Sequence, residues 1–528
     1  MRKLADFPLV VILMALGAIS MIVPAIHALA VDNIVIARHF FYGGILLLSI
    51  TVIFGLAAAS NPSGPAARSH LLAMVFFFTI LPLMFAVPFN ESLPDTGLLN
   101  AWWEMVSALT TTGATLYSPD RLPDTLHLWR AQVGWMGGFF ILVMAISVLA
   151  PLRIGGFEVF FSARGTTAGH NAASDTAQRA TEAASRAAGF SGAAALSGFE
   201  RAAHPGERIL RYTRIIGPVY LGLTALLWVV LLIAGDTPLI ALCHAMSTLS
   251  TSGISPIGGP SMAPSGFGGE VMIFIFLGFA LTRRFWPGGG ELRVSEKITR
   301  DPELKLAVGI VIFVPAVLFL RHFIAALEVA VEPSVTMVLS SIWGSMFTVL
   351  SFLTTTGFES AGWNEARSWS GLGTSGLILA GLAIIGGGVA TTAGGVRLLR
   401  VYALLRHGER ELERIVHPSS IGGGGEMARR LRREGAYMAW IFFMLFALSV
   451  AAVMMAVSAT GLPFEPATIL SIAALSNTGP LAVVAGDAPL SWADLSDLTK
   501  AVLALAMVLG RLETLALIAL FNPDFWRA

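Results

Sequence analysis

The chain has 528 residues, of which 55% are hydrophobic and 13% charged, with a formal net charge of +1. Soluble domains average about 25% charged residues, so the composition excludes an ordinary water-soluble globule and points to a lipid bilayer, while the near-zero net charge gives no bulk field for nucleic acid. The single cysteine, Cys243, excludes an intramolecular disulfide and reads as a small core hydrophobe, and no Cys/His cluster has metal-ligand spacing.

A membrane-spanning helix needs about 20 mostly apolar residues. Ten stretches meet this: 7–29, 37–59, 70–89, 129–150, 212–234, 268–285, 304–326, 372–400, 434–458 and 498–521. The first follows Arg2 and Lys3 but is longer than the apolar core of a signal peptide, and a second apolar run comes close behind it, so both read as retained helices. Between spans lie shorter apolar segments at 97–110, 237–250, 336–353 and 465–475, each ending in small hydroxyl residues and glycine. These have the size of re-entrant half-helices.

Charge sets the topology. Loops 151–214, 283–305 and 397–433 hold eight, six and nine Lys/Arg, whereas loops 90–128, 255–269, 358–370 and 480–499 hold only Arg121 and Arg367 beside ten Asp or Glu. Basic loops stay on the cytoplasmic side, so the re-entrant side faces out and ten spans leave both termini in the cytoplasm. The Ala/Gly/Ser-rich loop 160–206 is too polar for the membrane. Gly422 to Gly425 reads as a flexible link, since no Gly-Lys-Ser/Thr follows to make a phosphate loop.

The ends of the four short segments repeat one another. Residues 107–115 read SALTTTGAT, 247–255 STLSTSGIS, 351–359 SFLTTTGFE and 473–481 AALSNTGPL. Each carries a leucine (Leu109, Leu249, Leu353, Leu475), three hydroxyl or amide residues and a glycine. The candidate ion-binding set is therefore Thr110, Thr111, Thr112 and Gly113; Ser250, Thr251, Ser252 and Gly253; Thr354, Thr355, Thr356 and Gly357; and Ser476, Asn477, Thr478 and Gly479. A cation shedding water must exchange it for protein oxygens, and selectivity filters use rings of backbone carbonyls for this. Glycine admits positive φ at little steric cost, and hydroxyls can brace the strand from behind or add their own oxygens. A helix C-terminus aimed at the cavity brings about half an elementary negative charge. Ser/Thr/Gly helix packing would instead space small residues by four within long helices. The filter stretches hold no carboxylate, and Glu359, two residues past Gly357, sits at the outer mouth.

With filters TTTGA, STSGI, TTTGF and SNTGP, the chain resembles the TrkH/TrkG/KtrB superfamily of potassium-uptake proteins over nearly its whole length. Further matches are WMGGFFILVMAISVLAP at 135–151, GGGVATTAGGVRLLR at 386–400 and LGRLETLALIALF at 509–521, while the extra N-terminal helix pair resembles the TrkH branch. GGFF stands where relatives have a GGMG-like stretch, and loop 160–206 is longer than usual. The resemblance implies an all-α polytopic membrane protein with an N-terminal hairpin at 1–62 and helix–pore helix–helix repeats at 63–158, 207–300, 301–407 and 408–528, with a cytoplasmic loop at 159–206. It also implies K⁺ bound by the four filters, a bacterial inner-membrane location, a homodimer, and a cytosolic TrkA-type nucleotide-binding regulatory protein. No organic cofactor belongs to this chain itself.

Two other sites stand out. The run 370–406 is too long for one span and is broken by Gly386, Gly387 and Gly388 and again by Thr391, Thr392, Gly394 and Gly395. Irregular backbone at membrane depth must line a cavity or be buried in protein, and the resemblance implies an intramembrane gate; a kinked packing helix is the alternative. Arg511 lies within the last span, where a charge marks function by default. Glu513 is on another helix face, so Arg511 needs another partner; the resemblance implies an arginine that limits the pore electrostatically, against a cap on buried carbonyls. Trp102, Trp103, Trp343 and Trp363 read as an outer aromatic belt. A K⁺ or Na⁺/H⁺ symporter is the alternative to a passive pore, with His244 and His322 as the membrane histidines available to it. The absence of HExxH, GxSxG and paired intramembrane aspartates argues against an enzyme.

Overall fold

The computed structural model describes residues 8–59, 66–150, 156–157, 205–287, 301–326, 335–369, 376–417, 433–486 and 488–512. Loop 159–206 up to residue 204, Gly422 to Gly425, Glu513, the His322 side chain and both termini lie outside the described residues. Among the described residues the fold is helical, with no strand.

In chain order the helices are α1 (Leu9–Ser20), α2 (Ile22–Ala30), α3 (Ile34–Ala59), α4 (Ala66–Thr79), α5 (Leu81–Ser92), α6 (Leu98–Leu109), α7 (Asp124–Met144), α8 (Pro205–Ala234), α9 (Pro238–Ser250) and α10 (Gly266–Leu277). They continue as α11 (Pro302–Ala326), α12 (Val335–Leu353), α13 (Trp363–Trp369), α14 (Gly376–Ile385), α15 (Leu398–Val416), α16 (Arg433–Ser458), α17 (Phe464–Leu475), α18 (Leu481–Val484) and α19 (Asp497–Leu512).

Among the described residues, eight helical stretches are long and apolar enough to cross a membrane: Leu9–Ala30, Ile34–Ala57, Leu72–Ser92, Asp124–Leu149, Gly206–Ala234, Pro302–Leu320, Thr336–Leu353 and Gly435–Ser458. This corrects the sequence reading in two directions. The segment 336–353, expected to be too short, is a 19-residue helix. Its interior serines do not stop it, because a hydroxyl can bond back onto the helix, as Ser345 Oγ does to the Ile342 carbonyl at 2.9 Å. Conversely, the expected span 268–285 is α10 plus a 3₁₀ turn at Gly278–Ala280. There the chain turns extended at Thr282, whose Oγ1 donates to Asp301 at 2.8 Å and accepts from the Arg284 amide. The expected span 372–400 is broken after Ile385, and the described helix in 498–521 runs to Leu512.

Burial ranks the helices from axis to rim. In the best apolar stretch of Asp124–Leu149, 83% is buried, against 11% in Gly435–Ser458. Rim residues such as Ile53, Phe313, Leu448 and Met455 are exposed. Large apolar surfaces of this kind are tolerable where the solvent is lipid. The α1–α3 hairpin docks on this bundle through Gly17 against the Phe85 ring, Phe40 edge-on to Trp129 at 5.4 Å, and Gln132 donating to the Ser20 carbonyl at 2.8 Å.

Candidate functional site

The four sequence repeats become one geometric motif. Helices α6, α12 and α17 end at the signature leucine and α9 one residue later, at Ser250, and each then turns through a left-handed residue. That residue is Thr111 (φ 55°), Thr251 (53°), Thr355 (58°) or Asn477 (56°). The next amide reaches back five residues: Thr112 to Ser107, Ser252 to Ser247, Thr356 to Ser351 and Thr478 to Ala473, at 2.9 to 3.0 Å. The left-handed residue itself bonds back three, Thr111 to Ala108 and Thr355 to Phe352 among them. These two bonds form a Schellman cap, a termination that ordinarily uses glycine. Here β-branched threonine takes the position three times, where φ above zero is rare and strained.

The flanking hydroxyls explain what holds it. The first and third residues of each run bond to one another: Thr110–Thr112 at 2.8 Å, Ser250–Ser252 at 3.0 Å, Thr354–Thr356 at 3.1 Å and Ser476–Thr478 at 3.2 Å. The first also donates to the carbonyl four residues back, as Thr110 to Val106 and Ser476 to Ile472, both at 2.7 Å. Of the two uses open to the hydroxyls, these eight brace the turn from behind.

The glycines close the four turns into a ring. A Cβ on Gly113 would overlap the Ser252 carbonyl, one on Gly253 the Thr356 carbonyl, and one on Gly479 the Ala114 backbone. On Gly357 it would come within 2.9 Å of Pro480. Gly479 also donates its amide to the Thr112 carbonyl at 2.6 Å, and Asn477 Nδ2 donates to Thr112 Oγ1 at 3.0 Å. Segment 1 thus meets 2, 2 meets 3, 3 meets 4 and 4 meets 1. Every residue of the four runs is buried except Gly113 and Gly253, which are partly so.

The broken stretch 386–397 lies directly against this ring. Gly394 donates its amide to Thr355 Oγ1 at 2.7 Å, Thr392 Oγ1 donates to the Leu249 carbonyl at 3.1 Å, and a Cβ on Gly394 would overlap the Ser476 carbonyl. It therefore contacts segments 2, 3 and 4. Left-handed residues Gly386, Ala390, Gly395 and Arg397 make its turns. The turn after α10 and the start of α11 pin its other side: Gly388 donates to the Ala280 carbonyl and Val389 donates to Glu303 Oε1, both at 2.9 Å, while Arg397 ties the stretch together by donating to the Gly388 and Ala393 carbonyls. Gly387 and Gly388 pack on the backbone of residues 280–281, and Thr391 Oγ1 closes the turn onto the Gly388 carbonyl at 2.7 Å.

Glycines also face the helix ends. Gly137, in the GGFF motif, and Gly510, beside Arg511, each sit where a Cβ would overlap a signature leucine carbonyl, Leu109 and Leu475 respectively. Arg511 is buried, 2% exposed, next to Gly510 in the last turn of α19.

Several residues lie where the sequence did not foretell. Trp103, packed against Trp492 with ring centroids 5.5 Å apart, and Trp363 are buried in the protein interior and form no interfacial belt; Trp102 and Trp343 are partly buried. Buried carboxylates and a histidine, missed as site residues or left without a role there, brace the strands that leave the ring. Glu104 accepts from the Leu116 amide at 3.1 Å and pairs with Arg130 at 2.6 Å. Glu270 accepts from Trp343 Nε1, Ser360 Oγ and the Ala361 amide at 2.7 to 2.9 Å. His244 Nε2 meets Ser255 Oγ at 2.8 Å, with Asp236 3.9 Å from Nδ1. Cys243 is buried, as a core hydrophobe.

A multi-pass helical membrane protein with a buried ring of helix C-termini, closed by backbone and hydroxyl oxygens, belongs to the class of cation transporters rather than enzymes. Residues 303–527 match the TrkH family, described as cation transport protein. The chain is 28% identical to the Trk system potassium uptake protein TrkH of Vibrio parahaemolyticus over 98% of both chains, and 29% identical to that of Escherichia coli K12 over 87% of this chain and 86% of the relative. The crystal structure of the potassium transporter TrkH from Vibrio parahaemolyticus superposes over 100% of both chains, with a TM-score of 0.74 and 25% identity. The chain is thus similar to TrkH cation transport proteins, in sequence and in fold, along nearly its whole length.

Proposed function

We propose that the protein takes up K⁺ through a pore whose selectivity filter is the ring of Thr110–Gly113, Ser250–Gly253, Thr354–Gly357 and Ser476–Gly479. The observation that carries this is the fourfold repetition of one strained turn at the ends of four convergent helices. Four helix C-termini concentrate negative potential where a cation sits, and the hydroxyl pairs lock the backbone so that its carbonyls can replace a hydration shell.

The stretch 386–395 serves as the gate, a reading supported by its contacts to Thr355, Leu249 and Ser476 of the ring. Arg511, buried beside Gly510, sets the pore electrostatics below the filter. The chain divides as an N-terminal hairpin and four pore repeats, sits in a bacterial inner membrane with both termini cytoplasmic, and acts as a homodimer with a cytosolic nucleotide-binding TrkA-type regulator. The relatives' designation as parts of a Trk system supports a partner.

The test is ion flux through the purified protein in liposomes, K⁺ against Na⁺, with and without a pH gradient. K⁺-selective flux indifferent to the pH gradient supports the gated pore. Flux that moves protons would replace it with a symporter and direct attention to His244 and Asp236.

A further inference from the structure

We propose that Glu270 is a positioning residue for ion discrimination: an inter-repeat strut that fixes the outer end of filter segment 3 against the preceding repeat. The inference rests on the filter reading above. Glu270 is 3% exposed, on the first turns of α10. Its Oε1 accepts from the Ala361 amide at 2.8 Å, four residues beyond Gly357. Its Oε2 accepts from Ser360 Oγ at 2.7 Å and from Trp343 Nε1 at 2.9 Å. One buried carboxylate thus joins a helix of the second repeat to both the pore helix and the exit strand of the third.

This placement differs from the other braces. Glu104 binds Leu116 and Arg130 within its own repeat, and His244 binds Ser255 within its own. Glu270 crosses from one repeat to the next. It does so between the two segments whose ring contact is Gly253 against the Thr356 carbonyl. The spacing of segments 2 and 3 is therefore held both at the ring and, outside it, at Glu270. Na⁺ is smaller than K⁺, so a ring free to contract can coordinate it. A charge-assisted tie is roughly twice as strong as a neutral one, and it holds the exit strand against that contraction. Ser360 adds rigidity by accepting from the Gly362 amide at 3.2 Å, and Gly362 packs against the Ser340 carbonyl of α12.

The experiment measures the K⁺/Na⁺ permeability ratio from reversal potentials in proteoliposomes for the full chain and for Glu270→Gln. The amide can accept at only one atom, so one of the two sets of donors is lost. The expected result is a ratio reduced about tenfold, the scale of one charge-assisted hydrogen bond, with K⁺ flux kept within about twofold. Ser360→Ala and Trp343→Phe each remove a single donor and should lower the ratio by a smaller factor; they carry the test if Glu270→Gln does not fold. An unchanged ratio in folded Glu270→Gln, or in both single-donor variants, overturns the strut while leaving the filter intact. A wild-type protein without K⁺ preference overturns the filter reading and the strut together.

Discussion

Segments 1 to 3 and segment 4 reach the same turn by different means. In the first three, a threonine is left-handed and the glycine two residues on is also at positive φ: Gly113 at 71°, Gly253 at 66°, Gly357 at 81°. In segment 4 the left-handed residue is Asn477, a residue that tolerates this conformation better, and Gly479 is not among the positive-φ glycines. Its exit is the short helix α18 rather than an extended strand. Asn477 also uses its side chain, donating to Thr112 Oγ1 at 3.0 Å and to the Met507 carbonyl at 2.9 Å. The invariant of the four is thus the left-handed cap. The glycine answers two separate demands: conformation plus close approach in segments 1 to 3, close approach alone in segment 4.

The comparison breaks most readily at the glycines. Gly113→Ala meets both demands at once and should lower K⁺ flux about a hundredfold, whereas Gly479→Ala meets only the overlap and should lower it about tenfold. Equal losses would show that close approach alone matters. Next, Asn477→Thr makes segment 4 read like the others but removes two amide hydrogen bonds. The K⁺/Na⁺ ratio should fall about tenfold, with a lowered Tm; a wild-type ratio would make the asparagine interchangeable.

Thr355 differs from its counterparts in that its hydroxyl accepts from the amide of Gly394, in the broken stretch proposed as the gate. If the stretch gates, Thr355→Ala should raise flux about fivefold, from the loss of roughly one hydrogen bond holding it against the ring, while Thr111→Ala should not. Gly388→Ala, whose Cβ would collide with the Leu281 backbone, should change flux as well, and unchanged flux in both would remove the gate assignment.

The smallest effect belongs to the second residue past each glycine, where segment 3 carries Glu359 and segment 4 carries Leu481. Burial pushes the Glu359 carboxyl above its ordinary range, with Arg367 opposing. Its charge is present above that raised value and lost as external pH falls through it, so acidifying the outer side should reduce cation flux about twofold. Glu359→Gln should flatten the response. The same shift makes folding slightly more favourable as pH falls, because the buried neutral form is preferred.

The repeat was readable in the sequence because its hydroxyls and glycine are contiguous and recur four times, and the broken stretch was readable because Gly386–Gly388 cannot continue a helix cheaply. The left-handed threonines were not, since local preference argues against β-branched residues there; only the hydroxyl pairs and ring contacts, both tertiary, impose it. Glu270 was hidden for another reason. It opens an apolar stretch and looks like the end of a loop, and its donors lie 73 to 91 residues away. The tryptophans misled because an aromatic near a polar loop reads alike whether it faces headgroups or a protein interior.

The closed ring has a consequence for how the protein is made. Asn477 and Thr112 are 365 residues apart, yet they seal the contact between the last segment and the first. Each left-handed non-glycine residue costs on the order of 1–3 kcal/mol and persists only where its surroundings over-determine it. Until residues 473–481 have been made, the turns of segments 1 and 3 lack the neighbour that over-determines them, so the ring closes only with all four segments in place.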